Sequence, residues 1–167
     1  IEIVRHYSEL PKVYCYPGQL NQVFMNILTN AVDALDAMAV ESSPLGSNSP
    51  TDRHWGPTIT LATEADEHSV RITIADNGIG MTHDVSKQAF DPFFTTKPVG
   101  DGTGLGLSMS YQIVTLNNQG TLSCESKMGV RTEITVEIPL NLKIRQQTVE
   151  EVPMTEPTFD AFALDIG

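Results

Sequence analysis

The sequence predicts an α+β fold, a two-layer sandwich with helices on one face of a mixed or mostly antiparallel sheet. Three observations carry this. Strand-like and helix-like stretches follow one another without the regular alternation of a parallel, doubly wound sheet. One long apolar stripe runs at helical spacing through Leu20, Val23, Phe24, Ile27, Leu28, Ala31, Leu35 and Met38. The last regular stretch is a pair of alternating segments, with Ile134, Val136 and Ile138 on one side, as in a closing hairpin.

Residues 1–8 alternate apolar and polar like an edge or half-buried strand, and a second short strand is expected over residues 13–16. Pro17 and Gly18 open the long helix. Residues 42–57, rich in Ser, Pro, Gly and Asn, read as a loop, with Trp55 packing locally. Ile59 and Leu61 begin a strand, and Val70, Ile72 and Ile74 alternate in the next, which ends at Asp76. A short helix is expected over residues 83–90, a long mobile loop over 91–104 and a helix over 105–117. Strands over 121–126 and 131–138 close the fold.

A chain of 167 residues with 40% hydrophobic and 19% charged content suits one domain with a tail. The net charge of -11 argues against a nucleic-acid surface. An anionic ligand must therefore be held by local devices: backbone N–H groups, a metal ion or a lysine. Cys15 and Cys124 are far apart and in no ligand pattern, so both read as reduced thiols in or near strands. No apolar run is long enough to suggest a membrane span or a signal peptide. The chain begins directly on a strand-like stretch, as a piece of a larger protein would.

Three segments carry chemistry, and their order and spacing point to a nucleotide site. On the long helix, Asn26 and Asn30 are one turn apart, with Asp33 near the same polar edge. A side-chain amide oxygen from Asn30 suits Mg²⁺, which takes few protein ligands and bridges to phosphate oxygens. Asp76 ends an alternating strand and precedes Asn77-Gly78-Ile79-Gly80. Its carboxylate suits the exocyclic amine of adenine, and Gly78 and Gly80 let the backbone pass close to the ring. The run Gly100-Asp101-Gly102-Thr103-Gly104-Leu105-Gly106 leads straight into a helix, whose N–H groups attract phosphates. This is neither a P-loop nor the dinucleotide glycine pattern. Between them lies Phe90-Asp-Pro-Phe93-Phe94-Thr-Thr-Lys97. Phe90 and Phe93 read either as core residues or as part of a lid, and Lys97 either as a solvated lysine or as a phosphate ligand.

These segments resemble the N, G1, F and G2 boxes of sensor histidine kinases, in the GHKL ATP-binding superfamily. The likeness covers about residues 1–140 and implies the Bergerat-type sandwich, with ATP beneath a mobile lid. It implies Mg²⁺ on Asn30, with Asn26 as its partner toward the phosphates, and adenine on Asp76 with Gly78 and Gly80. Phe90, Phe93 and Phe94 match the F box, and Gly102, Gly104 and Gly106 match the phosphate-side glycines. The wording around Asn30 and Lys97 is most similar to kinases of the nitrogen-regulator type.

In the ATPases of that superfamily the residue at position 26 is a Glu that activates water. Asn26 cannot act as that base, which favours phosphoryl transfer over hydrolysis. None of His6, His54, His68 and His83 has the acidic-residue and Arg context of a phosphate acceptor. The resemblance therefore implies a catalytic domain that serves a separate dimerisation and histidine-acceptor domain, with a response regulator downstream. It also implies a cytoplasmic domain, monomeric when isolated, without membrane contact of its own. Residues 141–167 lie beyond the likeness. With two basic residues against five acidic ones, they read as an acidic linker-like or disordered tail in which Phe159, Phe162, Ala163 and Ile166 keep helical spacing.

Overall fold

The structure, a computed structural model, describes residues 1–41, 56–98 and 102–140. The loop around Trp55, Gly100 and the acidic tail lie outside the described residues.

The five described strands form one mixed sheet. They are β1 (Glu2–Tyr7), β2 (Thr58–Ala65), β3 (Ser69–Asp76), β4 (Thr121–Lys127) and β5 (Arg131–Pro139), in spatial order β1-β2-β3-β5-β4. β1 and β2 are parallel, with Glu2 opposite Thr58, and the other pairs are antiparallel. The helices are α1 (Pro17–Glu41), α2 (His83–Gln88) and α3 (Gly106–Gln112), the last running on into a π-helical turn, Ile113–Asn117.

The core is the meeting of two periodicities. Leu20, Val23, Ile27, Ala31 and Leu35 form the buried stripe of α1. They meet the inward residues of the sheet, among them Ile59, Ile74, Leu122, Ile134, Val136 and Ile138. Val70 and Ile74 are buried, and their alternation leads to Asp76, so the last inward position of β3 is a carboxylate instead of an aliphatic group. The opposite face of the sheet is polar. There Thr73 and Thr135 approach with their hydroxyls 3.3 Å apart, the Ser69 hydroxyl donates to Glu137, and Arg71 pairs with Glu64 and Asp66.

Four expectations are corrected. Residues 13–16 form no strand. Val13 and Cys15 pack on the core, and the Tyr16 carbonyl accepts the N–H groups of Gln19 and Leu20 at the start of α1. α2 stops at Gln88, after an N-cap in which Thr82 accepts the Val85 N–H, and Asp91 closes on the Gln88 carbonyl. The helix expected over 105–117 is α-helical only to Gln112 and then widens. Finally, Pro17–Val40 is long and apolar enough to cross a membrane by length and composition. Its apolar stripe is spent on the sheet, which is what a core helix does. Both cysteines are free; Cys124 lies in β4 and Cys15 in the segment before α1.

Candidate functional site

A cavity of 770 Å³ opens between α1, the inward ends of β3 and β5, and the segments on either side of α3's start. Ile27, Ala31, Ile74, Ile79, Met81 and Ile134 provide apolar walls suited to a flat ring. Polar groups converge at two places on this surface.

The first is Asp76. Only 7% of the residue is exposed, and one carboxylate oxygen accepts the Gly78 N–H at 2.9 Å. Burial pushes its pKa up to about 6, against the pull of the Gly78 N–H. A carboxylate held this way has unused acceptor capacity facing a cavity, and it gains from any donor that arrives there. Gly78 itself does not line the cavity. A Cβ at that position would lie 2.6 Å from the Ala34 backbone, so this glycine lets the turn after β3 press on α1. The Ile79 N–H completes that contact by donating to the Ala34 carbonyl.

The second is the polar edge of α1. Asn30 and Asp33 line the cavity together with Lys97, whose ammonium forms an ion pair with Asp33 and lies 3.5 Å from the Asn30 side-chain amide oxygen. Gly102, Thr103, Gly104 and Gly106 line the same side. Gly104 has φ +64°, and a Cβ there would lie 2.4 Å from the Phe93 carbonyl carbon. The Phe93 N–H donates to the Gly104 carbonyl at 2.9 Å, so the aromatic segment and the glycine segment are fastened to each other. The described parts of the expected mobile loop are thus tied by turns and by this bond.

The remaining expected residues are placed differently. Asn26 lies outside the cavity lining and donates to the Gly106 carbonyl and the Ser110 hydroxyl, both at 3.1 Å, joining α1 to α3. Leu105 precedes α3, and its N–H donates to the Thr103 hydroxyl at 3.3 Å. Phe90 packs on the core and tilts against Tyr111, ring centroids 5.5 Å apart. Phe93, at φ 67°, is 75% exposed. Among the described residues, Phe94 is the aromatic that lines the cavity. Gly80 lines the cavity, and at φ +62° a Cβ there would lie 2.2 Å from the Lys127 carbonyl oxygen.

The sequence reading missed Met81 and Thr132 in the wall. Met81 is anchored by its N–H to the Ser126 hydroxyl at 2.8 Å, and Thr132 lies opposite Asp76 in the sheet register. Only the inward alternation of β5 pointed to Thr132. The thiol of Cys124 is pushed up to about 11, by burial first and then by the charges of Asp76 and Glu125, so it is no nucleophile.

The donor set suits a nucleotide with its cation: a buried acceptor for a base amine, apolar walls, hard oxygens on α1 and glycine backbone at a helix start.

Residues 15–142 match the family described as "Histidine kinase-, DNA gyrase B-, and HSP90-like ATPase". The chain is 36% identical over 145 residues to sporulation kinase E of Bacillus subtilis (strain 168), covering 86% of this chain and 17% of that protein. It is 32% identical over 163 residues to the sensory histidine kinase/phosphatase NtrB of Rhizobium meliloti (strain 1021), covering 95% of this chain and 40% of that protein. It thus spans less than half the length of either. Among solved structures, the catalytic domain of histidine kinase ThkA superposes with a TM-score of 0.62 at 24% identity, covering 83% of this chain and 80% of that one; the likeness is one of fold. Full-length ShkA in complex with AMPPNP superposes with a TM-score of 0.63 at 25% identity, over 83% of this chain and 25% of that one. A family match over most of the chain, on an α+β fold shared with histidine kinase catalytic domains, shows that this chain belongs to the histidine kinase-, DNA gyrase B- and HSP90-like ATPase family.

Proposed function

We propose that the chain is the ATP-binding catalytic domain of a two-component sensor histidine kinase, and that it presents the γ-phosphate of ATP to a histidine on a separate dimerisation domain. The observation that carries this is the buried Asp76 carboxylate in a cavity whose opposite side holds Asn30, Lys97 and the glycines before α3. ATP held with Mg²⁺ supplies the transferable phosphoryl group and a cation that neutralises its charge.

The residues' own contributions are positional. Asp76 accepts the adenine amine and fixes the base between apolar walls. The backbone of residues 102–106 and Lys97 hold phosphate oxygens, and Asn30 offers its amide oxygen to Mg²⁺. Phosphoryl transfer asks for little covalent help, so positioning and charge neutralisation suffice. No histidine lines the cavity among the described residues, which fits a nucleophile brought by another domain. Asn26 cannot take a proton from water, and its amide is engaged by Gly106 and Ser110, which favours transfer over hydrolysis.

On this reading the domain works in the cytoplasm, is monomeric when isolated, and acts upstream of a response regulator. The test is calorimetric titration of the chain with ATP, with and without Mg²⁺. Binding that strengthens with Mg²⁺ is expected; no binding at millimolar ATP overturns the proposal.

A further inference from the structure

We infer that Asn30 and Asp33 form a cation seat which Lys97 occupies in the nucleotide-free protein, and that Mg²⁺ arriving with ATP takes this seat and releases Lys97 to the phosphates. This makes Asp33 a second metal-side residue beside Asn30, and it rests on the nucleotide reading above.

Asn30 and Asp33 are three residues apart on α1, so their side chains are neighbours on one helix face. Both present oxygen to the cavity, one neutral and one charged, the donor class that hard cations choose. A cation is already there. The Lys97 ammonium is ion-paired with Asp33 and lies 3.5 Å from the Asn30 side-chain amide oxygen.

Lys97 is held to this place by its own segment. Its N–H donates to the Thr95 hydroxyl at 3.2 Å, and Gly102 packs so closely that a Cβ there would lie 3.1 Å from the Lys97 Cδ. The Phe93–Gly104 backbone bond joins the residues leading to Lys97 with the residues around Gly102. The lysine is therefore aimed at α1 by the fold rather than left to wander in solvent.

A divalent cation on these oxygens competes with the ammonium for the same carboxylate, and the two positive charges repel each other. When ATP brings Mg²⁺ to Asn30, Lys97 must leave Asp33, and its flexible stem lets the ammonium turn to the adjacent phosphate charge. In the free cleft the Asp33 charge is thus balanced by an internal ion that the ligand's own ion replaces. The pair of side chains is partly exposed, 34% for Lys97 and 44% for Asp33, so exchange needs no opening of the core.

The readout is the magnesium enhancement, the ratio of ATP dissociation constants without and with Mg²⁺, measured by calorimetry on the 167-residue chain. Asp33→Asn keeps the shape and removes the charge, and is expected to lower the enhancement about tenfold. Lys97→Met removes the resident cation and is expected to weaken ATP binding in the absence of Mg²⁺, because the nucleotide then meets no cation there. Asp36→Asn removes the same charge one turn further along the cavity wall and is expected to change the enhancement by no more than about twofold, the scale of a through-space surface effect. Circular dichroism and melting checks establish that each variant is folded. An unchanged enhancement in Asp33→Asn, an equal fall in Asp36→Asn, or Mg²⁺-free ATP binding undiminished in Lys97→Met overturns the seat. Failure of the unaltered chain to bind ATP overturns the nucleotide reading itself, a distinct result.

Discussion

The Asn26 side-chain amide donates to the Gly106 carbonyl at 3.1 Å, and through that bond the middle of α1 is tied to the first turn of α3. The same NH₂ group reaches the buried Ser110 hydroxyl at 3.1 Å. Asn26 thus works as a donor. Asn26→Ala removes both bonds and is expected to cost about 1–2 kcal/mol in urea unfolding. Asn26→Asp is expected to cost at least as much, because a carboxylate has nothing to donate and faces a carbonyl oxygen. An Asp variant as stable as the unaltered chain would show that this amide is not acting as a donor.

Asp76 makes nucleotide binding pH-dependent. Its pKa of about 6 lies above the ordinary 3.8. The folded chain therefore holds a proton that the unfolded chain releases between pH 4 and 6. The stability cost sets in as pH rises through that window and is complete above about 6. Binding runs the other way, since an amine donor prefers the ionised carboxylate. ATP affinity is expected to fall as pH drops below about 6, approaching tenfold per unit. Asp76→Asn should abolish ATP recognition while retaining the melting temperature at neutral pH or raising it. Tight ATP binding by that variant, with the same pH profile, would remove Asp76 from the site.

The glycines before α3 are not equivalent. At Gly104 the backbone has φ +64° and an added Cβ would meet Phe93 backbone atoms at 2.4–2.8 Å. At Gly106 the nearest atom to an added Cβ is 3.7 Å away, on Asn26. Gly104→Ala is expected to cost at least about 1–2 kcal/mol in the left-handed backbone alone, to unfasten the Phe93 contact and to weaken ATP binding. Gly106→Ala is expected to stay within about 0.5 kcal/mol in stability. Urea unfolding and ATP titration of the two variants check this; equal effects would mean that the Phe93 contact does not shape the phosphate side.

Features set by local chemistry were legible in the sequence. The alternation through Val70, Ile72 and Ile74 put Asp76 on the inward face, and the stripe from Leu20 to Leu35 named the core face of α1. Other features depend on partners distant in the chain. The direction of the Asn26 amide is decided by residues 80 and 84 positions away. Periodicity could not rank three aromatics in a Pro-containing turn. A positive φ at Phe93 and the packing of Phe90 on Tyr111 leave Phe94 to line the cavity. Residues 13–16 look like a strand because Val13 and Cys15 are both apolar and both face the core, yet among the described residues no strand pairs with them.

What holds that segment instead is Asn118, fully buried at the end of the π-helical turn. Its carbonyl oxygen accepts the Tyr16 N–H at 3.0 Å, and its NH₂ group donates to the Ile113 carbonyl at 2.9 Å. Asn118→Ala leaves the Tyr16 N–H without this acceptor and is expected to cost about 1–3 kcal/mol. Asn118→Asp keeps an acceptor for Tyr16 but loses the donor toward Ile113 and buries a carboxyl group. Burial raises the pKa of such a group above its unfolded value, so this variant should lose stability as pH rises through the unfolded pKa and beyond. Urea midpoints measured between pH 4 and 8 separate the two cases. The difference between Asn118→Asp and Asn118→Ala should widen with pH, and a difference independent of pH would show that position 118 is not sealed from water.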